Sequence, residues 1–124
     1  MNYQTIVDGF SAMACVISAE KNPAGNNRVF RIVAGNKAYI ESIEKPAPGM
    51  EMLSNTFIPN QEYTVYLTRD LNFEDYCYQA AVNNKNLHSY VHPERMDFWF
   101  HMFFLPLYSD SDELGYCLYL MEIS

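Results

Sequence analysis

Asp97-Phe-Trp-Phe-His-Met-Phe-Phe-Leu-Pro-Leu-Tyr108, then Ser109-Asp-Ser-Asp-Glu-Leu-Gly115, then Tyr116-Cys-Leu-Tyr-Leu-Met-Glu-Ile-Ser124: the end of the chain decides how the rest is read. Two aromatic and branched runs separated by Asp, Ser and Gly predict a long antiparallel hairpin. In an extended strand Phe98, Phe100, Met102 and Phe104 share one face, and Trp99, His101, Phe103 and Leu105 share the other. A sheet that meets water on one side alternates apolar with polar, whereas this strand is apolar on both. One face is expected to pack on core helices. The other needs the N-terminal helix or a second copy of the chain to cover it, and the spacing does not choose between them. It leaves open which face Trp99 serves.

Upstream, Leu87-His-Ser-Tyr-Val-His92 reads as another strand, and Pro93-Glu94-Arg95 as the turn into the hairpin. Before it, Phe73, Tyr76, Cys77, Ala80 and Ala81 fall on one helical face, with Asn72 as the expected cap and Asp75 three residues on. Glu74, Asp75, Gln79 and Asn83 are assigned to the wet side of that helix. From Gly49 to Leu71, Met50, Met52, Leu53, Phe57 and Ile58 are interrupted by Pro59 and Asn60, which suggests short helical turns and loop. Asn36 is placed to cap a short helix carrying Ala38, Tyr39, Ile40 and Ile43, stopped by Pro46, Pro48 and Gly49. Val29–Ala34 and Ala14–Ser18 read as a first hairpin around the turn Asn22–Asn27. Ile6, Val7, Phe10 and Met13 give an N-terminal helix over residues 2–13.

This order has two hairpin regions with helices inserted after the second strand. It is not βαβαβ, so the expected fold is α+β: a five-stranded antiparallel sheet with short helices and one longer helix on one face, plus the N-terminal helix. A length of 124 residues fits one domain. Residues 1–13 are read as a flanking helix and 14–124 as the domain proper.

Composition narrows function by exclusion. The formal net charge is −7 and no basic run occurs, which argues against nucleic-acid binding. No apolar stretch approaches a membrane span, and Met1-Asn-Tyr-Gln-Thr5 is not a signal peptide, so a cytoplasmic location without membrane association is expected. Cys15, Cys77 and Cys117 form no Cys-x-x-Cys pair and sit in apolar runs, as buried small hydrophobes do. His88, Tyr90 and His92 share a strand face, but nothing alternates with them to complete a metal site. No nucleophile elbow, phosphate loop or metalloprotease motif is present, and no catalytic residue is assigned.

With these elements in place the chain, from about Ala12 to Ser124, resembles a PAS domain. Ile32-Val-Ala-Gly-Asn36-Lys-Ala38 is similar to that family's second strand running into an Asn that opens its first core helix. Phe73–Lys85 resembles its long connecting helix, and the terminal hairpin with Gly115 in or beside the turn resembles its last two strands. Glu122-Ile123-Ser124 is similar to the Asp-Ile-Thr ending after which an effector's linker begins. Gly35-Asn-Lys-Ala-Tyr-Ile40, Leu71-Asn-Phe-Glu-Asp-Tyr-Cys77 and Asp97-Phe-Trp-Phe100 look most like N-terminal sensor domains of bacterial GGDEF-type diguanylate cyclases. The departure lies in residues 44–71, which match no ligand motif of that family. A reactive Cys for flavin chemistry and a helix His for haem are both missing from the corresponding regions, so those two cofactors are disfavoured and the cofactor is left unknown.

The resemblance implies a sensory domain that binds a small molecule, forms a homodimer and relays a signal to a C-terminal effector, a diguanylate cyclase. The expected ligand contacts are Tyr39, Tyr76, Cys77 and Tyr90, with Phe100 on the wall, or Trp99 if that is the inward face, and with Glu122, Ile123 and Ser124 as the output. A ligand-free dimerisation module is the alternative, and a small cone-shaped α+β enzyme with a pocket Asp–Tyr or Asp–His pair is a more distant one.

Overall fold

The computed structural model describes residues 2–23, 25 and 28–124. Its elements in chain order are α1 (Tyr3–Asp8), β1 (Met13–Glu20), β2 (Phe30–Gly35), α2 (Lys37–Glu44), β3 (Gln61–Glu62), a single 3-10 turn (Tyr63–Val65), α3 (Leu71–Ala81), β4 (Leu87–Val91), β5 (Phe100–Leu107) and β6 (Leu114–Ile123). The strands form one antiparallel sheet in the order β3-β2-β1-β6-β5-β4. The α+β class expected from the sequence is therefore observed. The strand count is corrected from five to six, because Gln61–Glu62 adds a two-residue edge strand against Arg31 and Ile32. A pair that short carries no periodicity to read.

Central pairing joins the two ends of the chain: β1 runs antiparallel to β6 from Met13↔Met121 to Glu20↔Leu114. Alternation then sorts the side chains. Cys15, Ile17, Cys117 and Tyr119 face the helices, which defines the inner face, while Ala14, Val16 and Leu118 face outward. In β2 the alternation breaks. The register slips between Val16 and Ile17, so Val16 opposes Ala34 while Ile17 opposes Ile32. This bulge turns both Val33 and Ala34 outward while Ile32 stays in the inner core.

Helix α1 ends at Asp8, shorter than the 2–13 expectation, and β1 begins at Met13. Gly9 closes it as the C-cap, its N–H donating to the Ile6 carbonyl while the Phe10 N–H donates to that of Val7. The helix lies on the outer face, where Val7 is buried, Tyr3 stacks on Tyr116 at 4.7 Å between ring centres, and Gln4 Nε2 donates to the Gly35 carbonyl at 2.8 Å. Its cover extends over β2, β1 and part of β6 and stops short of the outer face of β4.

The terminal hairpin has the expected form. Ser111 Oγ accepts from the N–H groups of Glu113 and Leu114, and Lys21 Nζ donates to the Ser111 carbonyl at 2.6 Å, which fastens the turn to the end of β1. Gly115 lies within β6 rather than in the turn. A Cβ there would sit 2.2 Å from the Ala81 carbonyl oxygen, so this glycine exists to let the end of α3 approach the sheet. The expected turn Asn22–Asn27 lies partly outside the described residues. Among the described residues no helix is long and apolar enough to cross a membrane.

Candidate functional site

Two side-chain hubs set the helices on the inner face. Asn36, only 3% exposed, caps α2 as expected: its Oδ1 accepts from Tyr39 N at 2.9 Å and from Ala14 N at 3.1 Å. Its Nδ2 donates to the carbonyls of Phe10 (3.0 Å) and Ala12 (2.7 Å). One amide thus satisfies a helix start, a strand start and the α1–β1 linker, and it points Tyr39 and Ile43 into the core.

The second hub is at the start of α3. The cap is Asp70, not Asn72: Asp70 Oδ1 accepts from the N–H groups of Asn72 and Phe73, so Asn72 is already inside the first turn. Glu74 is corrected from the wet face to the interior. It is 4% exposed, accepts from the Tyr63 hydroxyl at 2.5 Å and pairs with Arg69 Nε at 3.3 Å. The Tyr63 oxygen in turn accepts from Asp70 N at 3.0 Å. Burial first, and the bond to Glu74 second, push the Tyr63 hydroxyl up to about 12.

Between these hubs and the sheet lies a cavity of about 450 Å³, a size suited to a small molecule. Phe100, Met102, Tyr119 and Met121 of β5 and β6 form its floor. Tyr39 and Ile43 of α2, Phe73 of α3 and the segment 50–70 wall it. The rings meet edge to face: Tyr39 and Tyr119 at 6.5 Å, Phe73 and Tyr119 at 5.5 Å. Segment 50–70 is anchored by its own polar contacts. Leu53 N donates to the Tyr66 carbonyl, while the Tyr66 hydroxyl donates to the Ile58 carbonyl and accepts from Ile58 N.

Of the residues expected to contact a ligand, Tyr39 and Phe100 line this cavity. The other three do not. Tyr76 lies one turn along α3 and stacks on Phe104 at 5.1 Å. Cys77 is fully buried under α3 with Cys15 and Cys117, all three as free thiols. Burial, with neighbouring thiols adding to it, raises the Cys15 and Cys77 thiols well above their ordinary range, so they stay protonated. Tyr90 is on the opposite face of the sheet and 54% exposed, because its register partner is the outward-facing His101.

Trp99 also belongs to the outer face, 48% exposed with its ring 5.0 Å from that of His92. That face collects the three histidines of the chain beside aromatic rings: His88 on Phe103 at 4.1 Å and Tyr90 on His101 at 4.6 Å. Among the described residues no group of His, Cys, Asp or Glu is arranged to hold a metal ion.

Residues absent from the expected contact set are Tyr63, Tyr66, Phe73, Tyr119 and the methionines. For Tyr119 the alternation Cys117-Tyr119-Met121 was available as a signal, and for Phe73 its place on the apolar helix face. For Tyr63 and Tyr66 the i, i+3 spacing of a 3-10 turn is the only trace. The expected output residues continue β6. Glu122 opposes His101, Ile123 opposes Phe100, and Ser124 exchanges backbone hydrogen bonds with Trp99 at 2.8 and 3.0 Å. The sequence matches no known family model and no curated protein.

Proposed function

We propose that the chain is a PAS-like sensory domain. On this reading it binds a small molecule in the inner cavity and relays its occupancy along β5 and β6 to an effector that follows Ser124, a diguanylate cyclase. One observation carries the reading: the strands that floor the cavity are the strands that end at the proposed output. Phe100 lines the cavity and opposes Ile123 in the ladder. Met121 lines the cavity and also a second concavity shared by Ser11–Met13 and Glu122–Ser124. A ligand that moves Phe100 or Met121 therefore perturbs the last residues of β6 directly, a differential contact of the kind a two-state relay requires.

Further support comes from the order of elements. A first hairpin leads through Asn36 into a core helix, a longer helix follows, and an antiparallel β4–β5–β6 meander closes the sheet against β1. The reading assigns the domain no catalysis; the Tyr63 hydroxyl in the cavity wall is engaged by the buried Glu74. Its proposed location is the cytoplasm, where three free thiols are at home.

Native mass spectrometry of freshly purified protein tests this. The expected result is a protomer mass increased by a bound small molecule, lost on denaturation. An unliganded mass, together with no stabiliser in a metabolite thermal-shift screen, removes the sensory reading. The dimerisation module remains a second reading, favoured by the aromatic and histidine ladder of β4 and β5 that α1 leaves uncovered. The bound mass separates the two readings, and sedimentation at neutral pH tests the surface itself: a dimer broken by Trp99→Ser supports it, and a monomer removes the dimerisation module.

A further inference from the structure

The cavity wall carries a charge and donor pattern that selects among ligands. We infer that it takes an organic monocation, an ammonium or quaternary nitrogen on an apolar body. This rests on the reading of the cavity as a ligand site.

The first observation concerns sign. Among the described residues lining the cavity there is no Lys, Arg or His; the ionisable side chains of opposite sign are Glu51 and Asp70, both exposed at its mouth. Arg69, adjacent to Asp70 in sequence, is not in the wall, and its guanidinium pairs with Glu74 instead. A carboxylate or phosphate ligand entering here would lose its hydration and meet no compensating charge.

The second concerns donors. Tyrosine hydroxyls are the obvious neutral groups to hold an anion or a carbonyl, and here those of Tyr63, Tyr66 and Tyr119 are engaged. Tyr63 donates to Glu74, Tyr66 donates to the Ile58 carbonyl, and Tyr119 is turned onto the Met121 sulfur at 3.5 Å. Ser42 donates to the carbonyl of Tyr39. Tyr39 and the exposed Thr68 carry the remaining hydroxyls of the wall, so the cavity offers a guest mostly ring surface and thioethers.

The third concerns that ring surface. Tyr39, Tyr63, Tyr66, Phe73, Phe100 and Tyr119 all contribute to the wall, and Met50, Met52, Met102 and Met121 fill between them. Aromatic faces attract cations through their quadrupole, and polarisable sulfur adapts to an apolar guest. Carboxylates at the mouth and a chain of net charge −7 attract the same sign.

Calorimetric titration of the full chain with three probes of similar size tests the assignment: benzyltrimethylammonium, benzyl alcohol and 3-phenylpropionate. The expected order is cation tightest, with the anion about tenfold weaker or worse. Asp70→Asn keeps the α3 cap, since Asn caps as well as Asp, and is expected to weaken the cation about threefold while leaving benzyl alcohol unchanged. Phe100→Leu is expected to weaken the cation about fivefold. Binding of the alcohol or the anion in preference to the cation overturns the inference and leaves the ligand site standing. Binding of none of the three overturns both.

Discussion

The Tyr63 hydroxyl donates a 2.5 Å hydrogen bond to Glu74, a carboxylate that is 4% exposed, and so ties the 3-10 turn to the first turn of α3. Tyr63→Phe removes that donor and also the acceptor for Asp70 N. A buried carboxylate left with Arg69 alone is expected to cost about 3 kcal/mol. Glu74→Gln retains an acceptor and should cost about half of that. Urea unfolding of both variants and of the double mutant gives the coupling; an additive pair means the bond does not hold the turn.

The same bond gives an alkaline signature. Tyr63 is raised from 10.0 to about 12 in the folded chain, so between those values the folded state holds a proton that the unfolded state releases. Its contribution is full below about pH 10 and is lost as pH rises through about 12, a change of about 3 kcal/mol. Tyr39 and Tyr119 are raised in the same direction by burial and add to the fall. The urea midpoint is expected to drop steeply between about pH 10 and 12, with a shallower drop in Tyr63→Phe.

Asn36 is the tie between α2, β1 and the α1–β1 linker, and its two halves can be tested separately. Asn36→Asp keeps an acceptor for Ala14 N and Tyr39 N but turns an oxygen onto the carbonyls of Phe10 and Ala12. It is expected to lose about 3 kcal/mol at neutral pH and to recover part of it on acidification, when the carboxyl can donate. A pH-independent loss contradicts the donor role.

Gly115→Ala sets a methyl group against backbone, 2.2 Å from the Ala81 oxygen and 2.8 Å from its carbon. Neither atom belongs to a flexible side chain, so α3 must shift off the sheet. The expected loss in thermal or urea unfolding is about 3 kcal/mol. Gly49→Ala, whose obstacle is a positive φ of 85° rather than a contact with backbone, should lose about 1 kcal/mol.

Much of the fold was legible because its signals are local. The Asn36 cap, the apolar face of α3 and the terminal hairpin are each written within a few consecutive residues. What escaped depends on distant partners. The bulge at Val33–Ala34 reverses part of β2 only because of how β1 pairs with it. Glu74 looks solvated until Tyr63 and Arg69 are brought to it. The face of Tyr90 is fixed by its register with His101, and Leu87-His-Ser-Tyr-Val91 alternates too weakly to announce it. The cavity itself was half legible: Tyr39 follows from helix periodicity and Phe100 belongs to one of two strand faces between which alternation does not choose, whereas Tyr63 and Tyr66 come from a stretch without periodicity.

The most direct test of the cavity as a ligand site is saturation-transfer NMR of one soluble fragment library against the wild-type chain and against Met102→Trp, which fills the cavity from its floor. Fragments are expected that bind the wild type and are lost in Met102→Trp, yet are retained in Trp99→Ser on the outer face. Fragments that bind both cavity states equally, or none at all, would contradict a ligand site there.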